Sequence, residues 1–409
     1  MLKDYWAFFR QSWPLLLFGL LTVFWGNFGQ SFFISWFGAS FQTDLGLTAT
    51  EYGSTYSAAT LASGLLILAL GGAIDRMPLF RFVTLAALGL MTAGLVLWQA
   101  SNLIMLVFGL FLLRFCGQGL LPHSAMIVMA REFDRNRGKA ISIAACGLPL
   151  GEMVLPALAV LLLGLLGWQH TWLVIALLVP LIYLPLAWAL TRQVHPPGQQ
   201  EPETEEGTQA GTRITLLKDY RFWLALPLLL SVPFIVTGVF IHQGFILPEL
   251  GWSPVLFASA FIFYGVGHWS VSMVSGALVD KYTAVRLLPF FSLPLVGAML
   301  MPLLWEGHWV AFGFMALLGS SVGLSGPIVN ALWAEVYGTR HLGSLRSLIT
   351  SVVVLSTAAS PVLFGLLIDR GGSVQTLFGL LTTYGLISGV LALMAYRPSR
   401  TKETWLTGQ

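Results

Sequence analysis

The sequence predicts an all-α polytopic membrane protein with twelve transmembrane helices in two six-helix halves. Three observations support this fold class: the composition, the spacing of apolar stretches, and an internal repeat. Hydrophobic residues make up 56% of the 409-residue chain and charged residues only 10%, against roughly 25% charged residues in a soluble domain. Such a chain has too few polar residues to cover its apolar surface in water.

Apolar stretches of about 18–26 residues alternate with short charged clusters, and this is the length that an α-helix needs to cross a hydrocarbon core of ~30 Å. A β-barrel is excluded because its strands alternate over only ~10 residues. No small-residue cleavage site follows the first stretch, so we expect that helix to be retained. The twelve stretches lie at 14–37, 51–74, 82–100, 103–130, 140–166, 171–191, 222–247, 254–279, 287–305, 308–334, 345–368 and 373–396.

The basic residues predict the orientation of the helices, because Lys and Arg are retained on the cytoplasmic side of short loops. With the N-terminus inside, 19 of the 21 Lys and Arg residues are cytoplasmic, and Arg114 and Arg370 are the exceptions. We therefore expect both termini in the cytoplasm. Short loops fit a multi-pass protein of a bacterial cytoplasmic membrane. The net charge of +3 then reflects topology in a lipid bilayer, and it does not indicate a nucleic-acid partner.

The chain contains two related halves. LKDY occurs at 2–5 and again at 217–220, and TDLGLT at 43–48 aligns with PELGWS at 248–253, at an offset of 205 residues. A polar segment rich in Pro, Gly, Glu and Gln lies midway and is typical of a flexible linker. Halves with an even number of helices share one orientation, as in transporters whose site lies near the membrane midplane. The predicted domains are residues 1–192, a cytoplasmic linker 193–220, and residues 221–409.

The loop GGAIDRMPLFR at 71–81 resembles the signature G-x-x-x-D-R-x-G-R-R between helices 2 and 3 of the major facilitator superfamily. GALVDKYTAVR at 276–286 is its copy in the second half. The resemblance covers essentially the whole chain. It implies a secondary transporter that works by alternating access.

Charged residues of these loops are candidates for a conformational latch at the cytoplasmic side. We expect the glycine to let two helices approach closely and the aspartate to accept hydrogen bonds from a neighbouring helix N-terminus. The basic residues can then pair with a glutamate at the end of helix 4 or helix 10. The alternative is that these charges only fix topology. The predicted latch consists of Asp75, Arg76, Arg81, Glu132, Asp280, Arg286 and Glu335.

Residues 130–172 resemble the monocarboxylate and oxalate–formate branch of that superfamily, with a basic loop, an R-G-x-A start and a glycine-spaced helix 5 ending in Gly-Trp. Carriers of that branch use an Arg in helix 8 and a Lys in helix 1 or 11, and this sequence has neither. Helix 5 also partly matches a drug/proton antiporter pattern through Gly138, Gly147 and Gly151, but Glu152 replaces its proline.

Arg114 and Glu152 are the charged residues that lie deep in predicted helices. A charge at mid-bilayer costs at least ~2.5–3.5 kcal/mol, so it normally faces a partner or an aqueous cavity. At 1.5 Å per residue their depths differ by only ~6 Å, which makes them neighbours in two consecutive helices. In one interpretation Arg114 binds a substrate carboxylate and Glu152 carries the coupling proton. In the other, they form a permanent salt bridge between helices 4 and 5.

Uncharged polar residues complete the candidate pathway. His268 is a second candidate for the proton, because its unperturbed pKa lies near 6.5; the alternative is a hydrogen-bonded core histidine. The polar residues that we expect to line the substrate site are Gln118, Asn27, Gln30, Gln243 and Asn330. Each of these could equally join two helices by a hydrogen bond.

These observations predict a secondary active transporter of a small organic anion, a carboxylate by preference, coupled to protons. The alternative is a proton-driven exporter of amphipathic or drug-like compounds. A membrane receptor is a third hypothesis, but no signalling module is recognisable. No metal-ligand spacing, nucleophile motif or phosphate loop indicates an enzyme or a cofactor. We expect the protein to act as a monomer, with Cys116 and Cys146 as small core residues.

Overall fold

The computed structural model describes residues 2–70, 77–133, 136–191, 218–338 and 342–396, and no strand occurs among them. The chain follows the predicted order of helices. The major helices, numbered along the chain, are α1 (Leu2–Gly26), α2 (Ala49–Leu70), α3 (Leu79–Trp98), α4 (Leu103–Glu132), α5 and α6 (the two parts of Arg137–Thr191), α7 (Tyr220–Ile241), α8 (Pro254–Tyr282), α9 (Ala284–Leu304), α10 (His308–Tyr337), α11 (Leu342–Asp369) and α12 (Val374–Ala395).

Ten helices in the described part of the chain are long and apolar enough to cross a membrane. The longest has 55 residues and bends at Gly167, whose φ of 71° is not helical, so that it supplies both α5 and α6. A left-handed φ favours glycine because an L side chain is strained there. α2 is not among the ten, yet its 22 residues span the predicted second stretch. These helices account for the twelve that the sequence predicts.

Two helices of the first half are interrupted. α1 ends at Gly26 and is followed by a 3₁₀ turn over Asn27–Gly29. The backbone is extended at Gln30 (φ −80°, ψ 152°), and a new helix begins at Ser31. We call residues 27–30 the α1 break. α4 contains a π-helix over Leu113–Leu120, a rare feature that is frequent at functional sites. The α1 break contains Asn27 and Gln30, and the π-helix contains Arg114.

The described residues form two compact units. The first consists of the described residues up to 191 together with Phe240–Gly244 and Pro361–Gly365. The second consists of the described residues within 218–239, 245–360 and 366–396. Two short segments of the second sequence half thus belong to the first unit. Residues 192–217, which contain most of the predicted linker, lie outside the described residues, so the domain boundaries at 192 and 221 stay predictions.

Glycines bring α5 into backbone contact with α1 in the first unit. A Cβ on Gly147 would collide with the carbonyl oxygen of Leu20 and lie 2.8 Å from the amide of Phe24, and one on Gly151 would collide with the side chain of Asn27. The glycine spacing of helix 5 therefore has a packing reason. This contact accounts for Gly147 and Gly151 without any antiporter chemistry.

In the second unit, glycines bring α8 and α10 into similar contact. A Cβ on Gly323 would lie 2.6 Å from the carbonyl oxygen of His268, and one on Gly267 would lie 2.8 Å from that of Ala316. Gly276 of the second signature loop differs, because no atom lies within 4 Å of its Cβ position. The expectation that this glycine permits a close helix approach is therefore wrong.

The second LKDY tetrapeptide organises one end of the second unit. The carboxylate of Asp219 accepts hydrogen bonds from Arg221 Nε at 3.1 Å and from the Tyr337 hydroxyl at 3.0 Å. The Tyr337 hydroxyl lies 3.2 Å from that of Tyr396. Asp219 thereby ties the start of α7 to the ends of α10 and α12. The repeated tetrapeptide has a structural role in this copy.

Candidate functional site

Arg114 lies in the π-helix of α4 and is only 4% exposed. Its Nη1 donates a hydrogen bond to the carbonyl oxygen of Gly29 at 3.3 Å. Its guanidinium carbon lies 5.1 Å from the centroid of the Tyr56 ring, within cation–π distance. Its Nε has no hydrogen-bond partner. The buried positive charge is therefore held by one neutral carbonyl and one aromatic ring, with a donor unused.

The α1 break makes the Gly29 carbonyl available. In a continuous helix this oxygen would accept from the amide of Phe33, but that amide donates to Gln30 at 3.1 Å. Gly29 also permits the approach of α4, because its Cβ position is 3.0 Å from Gly117 and 2.5 Å from the amide of Gln118. The α1 break and the π-helix thus pack backbone against backbone at Arg114.

Hydroxyl groups lie on the other side of the Arg114 guanidinium. Tyr56 and Thr60 lie one turn apart on α2, and the Tyr56 hydroxyl lies beside the hydroxyls of Thr60 and Ser31. Tyr56 is fully buried and Thr60 is 2% exposed. Neither the Tyr56 hydroxyl nor the Thr60 Oγ1 makes a hydrogen bond of normal geometry. We call Arg114, Tyr56, Thr60 and Ser31 the Arg114 cluster.

The sequence did not point to Tyr56 or Thr60, although a signal was present. Tyr52, Tyr56 and Thr60 recur every four residues and so share one face of α2. Gln30 and Gln118, which the sequence predicted to line the substrate site, both lie next to Gly29. Gln30 follows Gly29 in the chain, and the backbone amide of Gln118 lies 2.5 Å from the Cβ position of Gly29. Both are half-buried, and neither side-chain amide is hydrogen-bonded within the described residues.

Glu152 is 3% exposed in α5, but it does not pair with Arg114. The contacts of Arg114 within the described residues are those with Gly29 and Tyr56. The permanent salt bridge between helices 4 and 5 is therefore not formed. The depth estimate assumed an α-helix throughout, whereas the π-helix changes the angular position of Arg114 and directs it to the α1 break.

Asn27 joins the α1 break to α5, as the structural alternative expected. It is fully buried, and its Nδ2 donates to the carbonyl oxygen of Gly147 at 2.9 Å. Its Oδ1 has no partner. Gly151 packs on the Asn27 carboxamide. Glu152 is the next residue in the chain and is therefore adjacent to this contact with the α1 break.

The second half has a matching break in α7. At the LKDY offset of 215 residues, His242 corresponds to Asn27, and α7 ends at Ile241. His242 Nε2 lies 2.8 Å from the carbonyl oxygen of Pro361; a carbonyl only accepts, so Nε2 carries the hydrogen. Gln243 is 3% exposed, and its Oε1 has no partner. In each half, a polar side chain at a helix break thus binds a backbone carbonyl.

The remaining predicted pathway residues, His268 and Asn330, belong to the second unit. His268 of α8 is half-buried, with its ring centroid 6.5 Å from that of Tyr264. Asn330 of α10 is exposed and makes no hydrogen bond within the described residues. Among those residues, no group of three His, Cys, Asp or Glu side chains could hold a metal ion.

The latch residues are only partly described. Asp75 and Arg76 lie outside the described residues, and Arg81 and Glu132 are exposed. In the second copy, Glu335 accepts hydrogen bonds from the backbone amides of Ala284 at 2.8 Å and Val285 at 3.2 Å. Glu335 thereby caps the N-terminus of α9, where a carboxylate is stabilised by the helix dipole.

Two of the expected latch contacts are absent from the described part of this structure. Asp280 is exposed and does not accept from the start of α9, and Arg286 forms no ion pair with Glu335 in the described part of the chain. The reason is the turn at Thr283, whose φ of 71° places the first amides of α9 against the end of α10. Glu335 therefore takes the place that the motif predicted for the aspartate.

Comparison with known proteins agrees with this architecture. The family model of the Major Facilitator Superfamily matches residues 16–247 and again 233–409. The chain belongs to this superfamily. The two matches overlap at residues 233–247 and together cover residues 16–409, and they identify the protein as a transporter of a multi-pass membrane family. They do not distinguish the monocarboxylate branch from the others.

Similar proteins include an uncharacterised MFS-type transporter, YcxA of Bacillus subtilis (strain 168), 22% identical over 97% of this chain and 98% of the relative. A crystal structure of a point mutant of the nucleoside transporter NupG superposes with a TM-score of 0.72 at 11% identity, over 94% of this chain and all of that one. A bacterial homologue of the human lysosomal transporter Spinster gives 0.68 at 15% identity, over 94% and 96%. These likenesses show the fold.

Proposed function

We propose that this protein is a secondary active transporter of small organic anions and that Arg114 binds the substrate carboxylate. The observation that supports this most directly is the buried Arg114 guanidinium with its unpartnered Nε. A buried charge is strongly disfavoured unless it is paired, and a guanidinium binds a carboxylate through two parallel hydrogen bonds. An incoming carboxylate supplies both the missing charge and the missing acceptor.

We infer that transport is coupled to protons and that Glu152 carries the proton. Glu152 is 3% exposed and Arg114 is 4% exposed, and a carboxyl side chain inside a membrane span is typical of the proton relays of transporters. Arg114 and Glu152 are both linked to the α1 break. Arg114 donates a hydrogen bond to the carbonyl oxygen of Gly29, and Gly151, which precedes Glu152, packs on Asn27. Substrate binding and protonation can thus be coupled through the α1 break without a direct ion pair. His268 is the alternative proton site.

The second candidate function is proton-driven export of amphipathic compounds, and the NupG likeness adds neutral nucleosides as a comparison class. A lipophilic cation beside Arg114 would be repelled, and a neutral ligand would leave the buried charge uncompensated. The Arg114 cluster therefore favours an anion. The expected setting is the bacterial cytoplasmic membrane, with both termini inside and a monomer as the transporting unit.

The test is ligand-dependent thermal stability of the purified protein with carboxylates, nucleosides and lipophilic cations. A ligand at 100 times its dissociation constant stabilises the native state by ~2.7 kcal/mol. We expect stabilisation by at least one carboxylate in the wild type and in the exposed control Arg370→Gln, and none in Arg114→Gln. Stabilisation by cations or nucleosides alone, equal in all three proteins, would contradict the proposal and favour the exporter.

A further inference from the structure

We propose that Tyr56 and Thr60 form a hydroxyl-recognition subsite beside Arg114, and that the transported anion is a hydroxylated carboxylate of the sugar-acid type. This inference rests on the proposed anion function. It concerns the second part of the ligand, which the guanidinium does not contact. An unsubstituted fatty acid would bind Arg114 but not this subsite.

Three elements bring the polar groups of this subsite together. The π-helix of α4 supplies Arg114, α2 supplies Tyr56 and Thr60, and Ser31 follows the α1 break. The Tyr56 ring lies against the guanidinium, while its hydroxyl lies beside Thr60 and Ser31. Tyr56 therefore contacts the carboxylate-binding group with its face and the hydroxyl groups with its edge.

The hydroxyls of Tyr56 and Thr60 are buried next to each other, and neither makes a hydrogen bond of normal geometry. Most buried polar atoms in proteins have a partner, so an unpaired group in a native structure indicates a ligand, a water or a function. Here two such hydroxyls and the Arg114 Nε occur in one cluster. A ligand that binds only the Arg114 guanidinium gives neither hydroxyl a hydrogen-bond partner.

The chemistry of the unpaired groups selects the ligand class. A hydroxyl donates one hydrogen bond and accepts two, so its best complement is a group that also donates and accepts, such as another hydroxyl. A methylene chain offers neither. Sites built to hydrogen-bond a ligand hydroxyl reject the analogue that lacks it, because their own buried groups then stay unpaired.

Spacing along α2 places the ligand hydroxyls close to the carboxylate. Tyr56 and Thr60 are four residues apart, a rise of ~6 Å, and Tyr56 contacts Arg114 directly. A hydroxyl one or two carbons from the carboxylate falls in this range. Glycerate is therefore a minimal probe, and gluconate is a longer one.

The experiment measures dissociation constants of matched ligand pairs: glycerate against propanoate, and gluconate against hexanoate. Both members of a pair carry one carboxylate and the same number of carbons. The variants are Tyr56→Phe, which keeps the ring under Arg114, and Thr60→Val, which removes the hydroxyl at similar size. Tyr52→Phe is the control, because Tyr52 is equally buried on α2 with an unpaired hydroxyl but its hydroxyl lies against Gly38.

We expect the wild type and Tyr52→Phe to bind the hydroxylated member of at least one pair tenfold or more tightly. Tyr56→Phe and Thr60→Val should reduce this ratio to threefold or less while the unsubstituted acid binds as before. Equal affinities within both pairs in the wild type would overturn this inference but leave the anion proposal intact. A ratio that survives in both variants would also overturn it. Binding of no carboxylate at all would refute the anion proposal itself.

Discussion

Arg114 is buried with a positive charge that no carboxylate neutralises among its contacts. A structural arginine stabilises the fold, whereas a ligand-binding arginine is kept at a cost to the empty protein. Since a buried guanidinium loses its hydration and here recovers only one hydrogen bond and one ring contact, we expect Arg114→Met to unfold at a temperature no lower than that of the wild type. Thermal unfolding without ligand measures this.

The matched comparison is Asp219→Asn, which removes the charge from a carboxylate with two bonded partners. That variant should unfold at a lower temperature than the wild type. If instead Arg114→Met lowers the unfolding temperature as much as Asp219→Asn, the guanidinium is a structural group, and its place in substrate binding would be refuted.

Glu152 is the proposed carrier of the proton that drives accumulation of substrate. Glutamine resembles the protonated carboxyl and cannot titrate, so Glu152→Gln should still exchange substrate across the membrane but no longer concentrate it against a gradient when the outside is acidified. Uptake and exchange in proteoliposomes separate the two activities. If Glu152→Gln keeps acid-driven accumulation and His268→Gln loses it, Glu152 is not the proton carrier and the role belongs to His268 of α8.

At the scale of the elements, the α1 break and the π-helix of α4 are positioned by the glycines between them. A Cβ on Gly29 would overlap the carbonyl oxygen of Leu113 and approach the Gln118 amide to 2.5 Å, so Gly29→Ala must separate the two elements. Overpacking of this kind costs ~1–3 kcal/mol. We expect a lower unfolding temperature together with weaker carboxylate binding, because Arg114 loses its carbonyl partner.

Gly164→Ala is the control, since no atom lies within 4 Å of its Cβ position. In a helix interior that change is neutral or stabilising, by roughly 0.5–1 kcal/mol. An effect of Gly164→Ala as large as that of Gly29→Ala would mean that glycine replacement in general, and not this contact, perturbs the protein.

The start of α9 provides a second test at this scale. Glu335 accepts from two backbone amides there, and loss of a helix cap costs roughly 0.5–2 kcal/mol. Glu335→Ala should therefore lower the unfolding temperature, whereas Arg286→Gln, which removes no contact in the described residues, should not. Equal losses in both variants would restore the ion pair that the sequence predicted.

At the scale of the whole molecule, the fold could be predicted from the sequence because the bilayer imposes it. Twelve apolar runs of spanning length and a doubled signature loop leave few alternative folds. The match to the Major Facilitator Superfamily over most of the chain confirms the predicted fold. Arg114 could be found for the same reason, since a charge is conspicuous in an apolar helix.

The surroundings of Arg114 were less predictable. The sequence of residues 113–120 contains no signal that predicts a π-helix. With an α-helix assumed there, the predicted partner of Arg114 was Glu152, whereas the observed partner is the carbonyl of Gly29. Tyr56 and Thr60 were missed because a hydroxyl in a membrane helix usually bonds its own backbone, as Thr55 and Ser57 do. Which hydroxyls remain unpaired depends on neighbours that only the folded chain brings together.

The most direct test of the central claim is carboxylate binding to the purified wild type and to Arg114→Gln, measured by the shift in unfolding temperature at saturating ligand. We predict that a carboxylate raises the unfolding temperature of the wild type and leaves that of Arg114→Gln unchanged. An equal rise in both proteins, or a rise with lipophilic cations and with no carboxylate, would contradict the assignment of Arg114 as the anion site.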